Sequence, residues 1–370
     1  MFPPLRPSRS RKAWRLGLTV IALLIMVVGA YGVQRHYFPK DTRMTISVTP
    51  DMAGLRPDAD FNCTKEADHI PPRDPEAEQL YQHARWLRRN NLLKDDPAVY
   101  PAIERLVRIA TAHGHDKANL ALRGMLKNGQ AQSRNPIKES VDLVEDLIQR
   151  GIPGGYHDMG NYLMQGYGVV GDFDLGKRYY RKAADLGSPD AQYLIGDKLI
   201  DTRRHPPEVV VIGLQMLRCA AEQGHAEAAL DLGVYIYEEK PKEAMEAYQM
   251  GAKAGNSQCA SRMVDGFTIT DPNIGFYMGQ TQADPERARR YKIIWKFLSD
   301  YDYLGPKVPE IDGIVPLPPA KLPPWDGKFK WLEEHKANVP PPLPSEKRIE
   351  EMARAKGLDP KTGRSAQAGK

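Results

Sequence analysis

The sequence predicts an all-α fold, a right-handed solenoid of stacked helix pairs, and three periodic features predict it. A glycine recurs at the end of a helical stretch, at Gly114, Gly151, Gly187, Gly224 and Gly255, with spacings of 37, 36, 37 and 31 residues. Four residues after each comes a small side chain, in order Ala118, Gly155, Ala191, Ala228 and Cys259. Nine residues after, glycine returns in three of the five units, at Gly160, Gly196 and Gly233. Glycine takes the left-handed conformation that ends a helix, and a small residue one turn into the next helix lets its neighbour lie close. One pair cannot cover its own apolar stripe, so such pairs come in arrays that bury it between neighbours.

From the N-terminus, residues 1–15 hold Arg6, Arg9, Arg11, Lys12 and Arg15 with no acid, and are read as a cytoplasmic basic segment. Leu16 to Val33 then runs eighteen residues without a charge, about 27 Å of helix, enough to cross a bilayer. Cations precede this run while charges after it are mixed, so the positive-inside rule predicts a single-pass signal anchor over 16–34 with the body beyond it. Val28-Gly29-Ala30 leaves a cleaved signal peptide open. Both readings send the body to the same compartment, in a bacterium the periplasmic side of the inner membrane. Lys plus Arg total 52 against 47 Asp plus Glu; without the five leading cations the remainder is neutral. No basic field exists to hold a nucleic-acid backbone, so no nucleic-acid partner is expected.

Residues 35–73 lack a sustained period and are read as a stalk or loop. Asp74-Pro75 is an N-cap with proline at the first helical position, EAEQLYQHARWLRR has apolar residues at helical spacing, and a second helix runs from Pro101 to Gly114. This pair, 74–113, is read as an N-terminal cap. The repeats follow over 114–266. Over 267–305 the period fades, although PERARRYKIIWKFLSDY from Pro285 predicts a helix with one apolar face. Residues 306–370 form a Pro-rich tail, with eleven prolines from Pro306 to Pro344. Such density forbids helix or central strand, leaving a solvated polyproline linker or a tail packed along the solenoid; Trp325, Phe329 and Trp331 favour packing. A short terminal helix opens at Ser345 and closes at Gly357.

The three cysteines, Cys63, Cys219 and Cys259, cannot all pair internally. In an exported body, Cys219 and Cys259, in neighbouring units, form the expected disulfide, with two buried small residues as the alternative. His113 and His115 are too few for a metal site. Gly224-His225 repeats the register of Gly114-His115, which places these histidines at interhelical turns. No nucleophile elbow, phosphate-binding loop or dinucleotide fingerprint occurs, and Asp95-Asp96, Glu238-Glu239 and Glu333-Glu334 read as solvated surface. No catalytic residue, metal or cofactor is expected. What remains is surface. In a helix-pair solenoid the first helices line the concave side, and Asn161, Tyr162, Gln165, Asp197, Lys198, Val234, Tyr235 and Glu238 there turn away from neighbouring units. Tyrosines among mixed charges have the composition of a protein-binding surface.

The string from Gly160, GNYLMQGYGVVGDFDLGKRYYRKAADLGSPDAQYLIG, resembles the Sel1-like repeat, a relative of the tetratricopeptide repeat. Tyr162, Gly166, Gly168, Val169, Ala183, Ala184, Gly187, Ala191 and Gly196 stand at family positions. The first unit has Lys127-Asn-Gly129 in place of the full loop, and the unit near Glu238–Pro241 is shortened. The whole layout, with HGHDKAN in the cap and WDGKFKW and PPLPSEKRIEEMARAKGLDP in the tail, resembles membrane-anchored Sel1-repeat immunity proteins found beside type VI secretion lipase effectors. That resemblance implies a periplasm-facing solenoid that binds and neutralises a phospholipase effector, of the phospholipase D kind, by occlusion. A general envelope scaffold or regulator is the other function that the same residues allow.

Overall fold

A computed structural model describes residues 55–365 of the chain. Six antiparallel helix pairs follow one another: α1 (Pro75–Asn91) with α2 (Tyr100–Ala112), α3 (Asp116–Lys127) with α4 (Pro136–Gln149), α5 (Pro153–Gln165) with α6 (Phe173–Asp185), α7 (Pro189–Leu199) with α8 (Pro207–Glu222), α9 (Ala226–Ile236) with α10 (Pro241–Ala254), and α11 (Ser257–Thr268) with α12 (Pro285–Asp300). Consecutive helices pack on one another throughout, as in a helical solenoid. Three short helices, α13 (Ile311–Ile314), α14 (Lys330–Ala337) and α15 (Glu346–Ala355), punctuate the tail. Among the described residues there is no strand, only an isolated bridge between Leu358 and Ser365. No helix among them is long and apolar enough to cross a membrane. The anchor read over residues 16–34 lies outside the described residues.

The repeat register has a local cause at each turn. Gly114, Gly151, Gly187, Gly224 and Gly255 all have positive φ, from 72° to 112°. The residue after the glycine caps the next helix: His115, Ser188, His225 and Asn256 each accept the amide of the residue three further on. Those capped residues are Ala118, Ala191, Ala228 and Cys259, fully buried. The mid-helix glycines are explained by contact. A Cβ on Gly233 would stand 2.5 Å from the Tyr248 ring and one on Gly160 2.7 Å from Tyr180. In the units that carry this glycine the second helix therefore lies against bare backbone of the first.

The segment 55–73 is a loop but not a stalk. It runs along the glycine-turn edge of the array and is pinned to it. Arg181, on α6, is buried and donates to the carbonyl oxygens of Arg56, Pro57, Ala59 and Asp60 at 2.5–3.1 Å. Gln192 donates to the Thr64 carbonyl, and the Glu66 amide donates to Gln223. At Gly187 a Cβ would meet the Lys65 carbonyl carbon at 2.4 Å, so this turn needs glycine for the approaching strap as well as for its φ. The expected Cys219–Cys259 disulfide is corrected: Cys63 and Cys219 are bonded, and Cys259 is free and buried. Cys259 sits at the capped small position, its sulfur against Gly251 between α10 and α11, while Cys219 faces the strap that carries Cys63.

The tail packs along the solenoid. Val308, Ile311, Ile314, Val315 and Phe329 join the core formed by α8 to α12. Arg290 donates to the carbonyls of Ile314 and Pro323, and Arg287 to those of Pro316 and Ala320. Guanidinium groups thus satisfy a proline-rich backbone that has few amides of its own. Phe329 stacks on Phe297 at 4.1 Å, with Trp325 and Trp331 at their edges. The chain then returns to its beginning. Asn338 bonds Trp86, Arg89 and Asn90 of α1, and Ile349, Met352 and Ala353 of α15 enter the core of α1 to α3. Arg105–Glu346, Arg348–Glu76 and Arg364–Glu104 ion pairs tie the ends together.

Candidate protein-binding surface

The first helices of the units form one row, α3, α5, α7, α9 and α11. Its first two members are joined by a buried pair: Arg123 on α3 reaches Asp158 on α5 at 2.5 Å and the Tyr162 hydroxyl at 3.4 Å. Burial opposes ionisation of Asp158, but His157 and Arg123 hold its carboxyl below the usual range. Arg123 occupies the position where later units carry the mid-helix glycine. On α7, Tyr193 stacks on His225 of the next turn at 4.4 Å. Burial, with Asp231 and Asp197 nearby, pushes the Tyr193 phenol up to about 12. Asp231 is raised in turn, chiefly by burial and then by Asp197.

The sequence-predicted surface residues divide. Asn161 accepts the Tyr180 hydroxyl at 2.9 Å, so its amide is committed to the second helix of its own unit. Tyr162 is half-buried, its ring 4.8 Å from Tyr167 and its hydroxyl toward Arg123. Gln165, Asp197, Lys198, Val234, Tyr235 and Glu238 are exposed. They lie at the C-terminal ends of α5, α7 and α9, the edge opposite the glycine turns. Glu238 accepts the Tyr237 hydroxyl. Val234 and Tyr235 are 43% and 38% exposed, an apolar pair one turn after Asp231 on α9.

The sign of the middle of the row, α5 to α9, escaped a residue-by-residue reading; at its ends α3 carries Lys117, Arg123 and Lys127 against Asp116, and α11 balances Arg262 with Asp265. Within α5, α7 and α9 the charged residues are Asp158, Asp190, Asp197, Glu227 and Asp231 against Lys198 alone. The partner helices α6, α8 and α10 balance acids with Lys177, Arg178, Arg181, Lys182, Arg218, Lys242 and Lys253. Sorting charges by helix within the repeat register would have exposed this asymmetry; summing them along the chain cancels it. Among the described residues no group of three or more His, Cys, Asp or Glu is placed to hold a metal ion. His113 bonds the Met352 carbonyl and His115 is a helix cap.

A chain of helix pairs with left-handed glycine turns, capped small residues and interhelical glycines has the architecture of a Sel1-like repeat solenoid. This one resembles immunity proteins of Pseudomonas aeruginosa. It is 28% identical to the solved structure of immunity protein PA5088, covering 72% of this chain and 95% of that one, with a TM-score of 0.52. Immunity protein PA5087 and the protein PA5086, from the same organism, are each 27% identical, with 70% and 95% covered and TM-scores of 0.52. Residues 259–366 match a family model described as a domain of unknown function, DUF6396, which takes in α11, α12 and the tail. No curated protein matches the chain.

Proposed function

We propose that this protein is an immunity protein: a solenoid that binds a type VI secretion effector of the phospholipase D kind and occludes it from its lipid substrate. Residues 16–34 tether it to a bacterial inner membrane, with the body in the periplasm, where such a toxin would arrive. The observation that carries this reading is the similarity to immunity proteins over 95% of their chains, at 27–28% identity. Tethering adds effective concentration at the surface where damage would occur. The acidic middle of the first-helix row, α5 to α9, with Tyr235 and Val234 as apolar contacts, suits a partner with a cationic face around an apolar centre.

The test is titration of a phospholipase D-like effector from the same organism with the full-length protein while phosphodiester hydrolysis is followed. Stoichiometric loss of hydrolysis at nanomolar concentration is expected. Undiminished hydrolysis in tenfold excess of this protein overturns the proposal. Charge reversal at Asp197→Lys with Glu238→Lys should weaken inhibition at least tenfold, because like charges then face each other across the interface.

A further inference from the structure

Where the tail closes on the first helix pair it leaves a cavity of about 740 Å³, within the size range of small-ligand sites. Three arginines of α1, Arg85, Arg88 and Arg89, stand in its wall. None meets a carboxylate at ion-pair distance, whereas among the described residues every other arginine except Arg134 and Arg178 does. Glu334 is the only acid in the wall. Cations in a last helical turn complement the helix dipole, which accounts for Arg88 and Arg89. It does not account for Arg85, one turn earlier, which donates to Gln82 and lies over the Tyr81 ring, or for the apolar side chains in the same lining.

Those side chains are unusually open. Leu92, Tyr303 and Val339 are 49%, 58% and 71% exposed, and all three line the same cavity. The rim is fixed rather than loose: the Trp86 indole donates to Asn338 Oδ1 at 2.9 Å, and His83 Nδ1 meets the Pro341 carbonyl at 3.1 Å. A preformed hollow lined both by cations that have no carboxylate partner and by exposed apolar side chains is complementary to a molecule with both characters. We infer that this cavity binds an amphiphilic anion, its phosphate, sulfate or carboxylate head against Arg85 and Arg88 and its alkyl or aromatic body over Leu92, Tyr303 and Val339. Arg89, engaged with Asn338, positions the closing tail.

The inference does not depend on the effector and is tested without one. Hexyl phosphate and 1-naphthyl phosphate are titrated calorimetrically into the full-length protein in an uncharged maltoside detergent, with inorganic phosphate and hexylammonium as controls. Saturable one-to-one binding of at least one organic phosphate is expected, with neither control binding. Preference for hexyl phosphate points to a lipid as the source, and preference for naphthyl phosphate to a soluble aromatic ester. Arg85→Ser with Arg88→Ser should weaken binding at least tenfold without lowering the melting temperature, and Tyr303→Ser should do so while keeping the arginines. Absence of saturation, equal binding of hexylammonium or inorganic phosphate, or unchanged affinity in both variants overturns the inference.

Discussion

The imidazole of His115 accepts the Ala118 amide through Nδ1 at 3.1 Å and donates through Nε2 to Glu78 at 2.9 Å. Both nitrogens are committed in the neutral ring, and protonation at Nδ1 would break the cap. Burial, opposed by Glu78, lowers its pKa below the ordinary 6.5. A folded-state value below the unfolded one gives stability that is present above pH 6.5 and lost as pH falls through the folded value. Glu78 and Asp116, both held low by their partners, extend the loss further into acid. His115→Ala should cost about 1–2 kcal/mol at neutral pH and flatten the first part of that decline, as urea titrations at several pH values would show. Gly233→Ala, whose Cβ would press on Tyr248, should cost about 1–3 kcal/mol by the same measurement. These positions were legible in the sequence because a repeat displays its constraints several times over. The cysteine pairing was not, since Cys63 lies in an aperiodic strap whose path no spacing records.

Two elements outside the repeats brace the array, the strap and the tail, and each makes its own prediction. The strap is closed by Cys63–Cys219, a link across 156 residues, and loss of such a crosslink costs roughly 2–5 kcal/mol. Reductant should therefore lower the melting temperature of the native protein and of Cys259→Ser alike, and leave Cys63→Ser unchanged. A Cys259→Ser variant insensitive to reductant would contradict this assignment. In the tail, Trp325, Phe329 and Trp331 announced packing, since aromatics at that density do not stay in water. They did not announce where the chain goes afterwards. The return of α15 to α2 rests on Ile349 and Met352 meeting a surface some 240 residues upstream, a pairing that periodicity cannot encode.

At the scale of the molecule, the stretch α5 to α9 of the first-helix row is acidic while the body is neutral as a whole. If this acidic stretch meets a cationic partner, association should slow as ionic strength rises while dissociation changes little, which stopped-flow measurements at 50 and 500 mM salt would resolve. The solenoid itself was plain from the glycine register, whereas its closure was not. Closure also bears on how such a chain can change over generations. An open array grows or shrinks by whole units, because each touches only its neighbours. Here the Asn338 and Arg348 contacts with α1 hold only if twelve helices bring the tail to that place. Duplication or loss of one pair would leave the tail facing the wrong helix, so new specificity must come by substitution along the rows at constant repeat number.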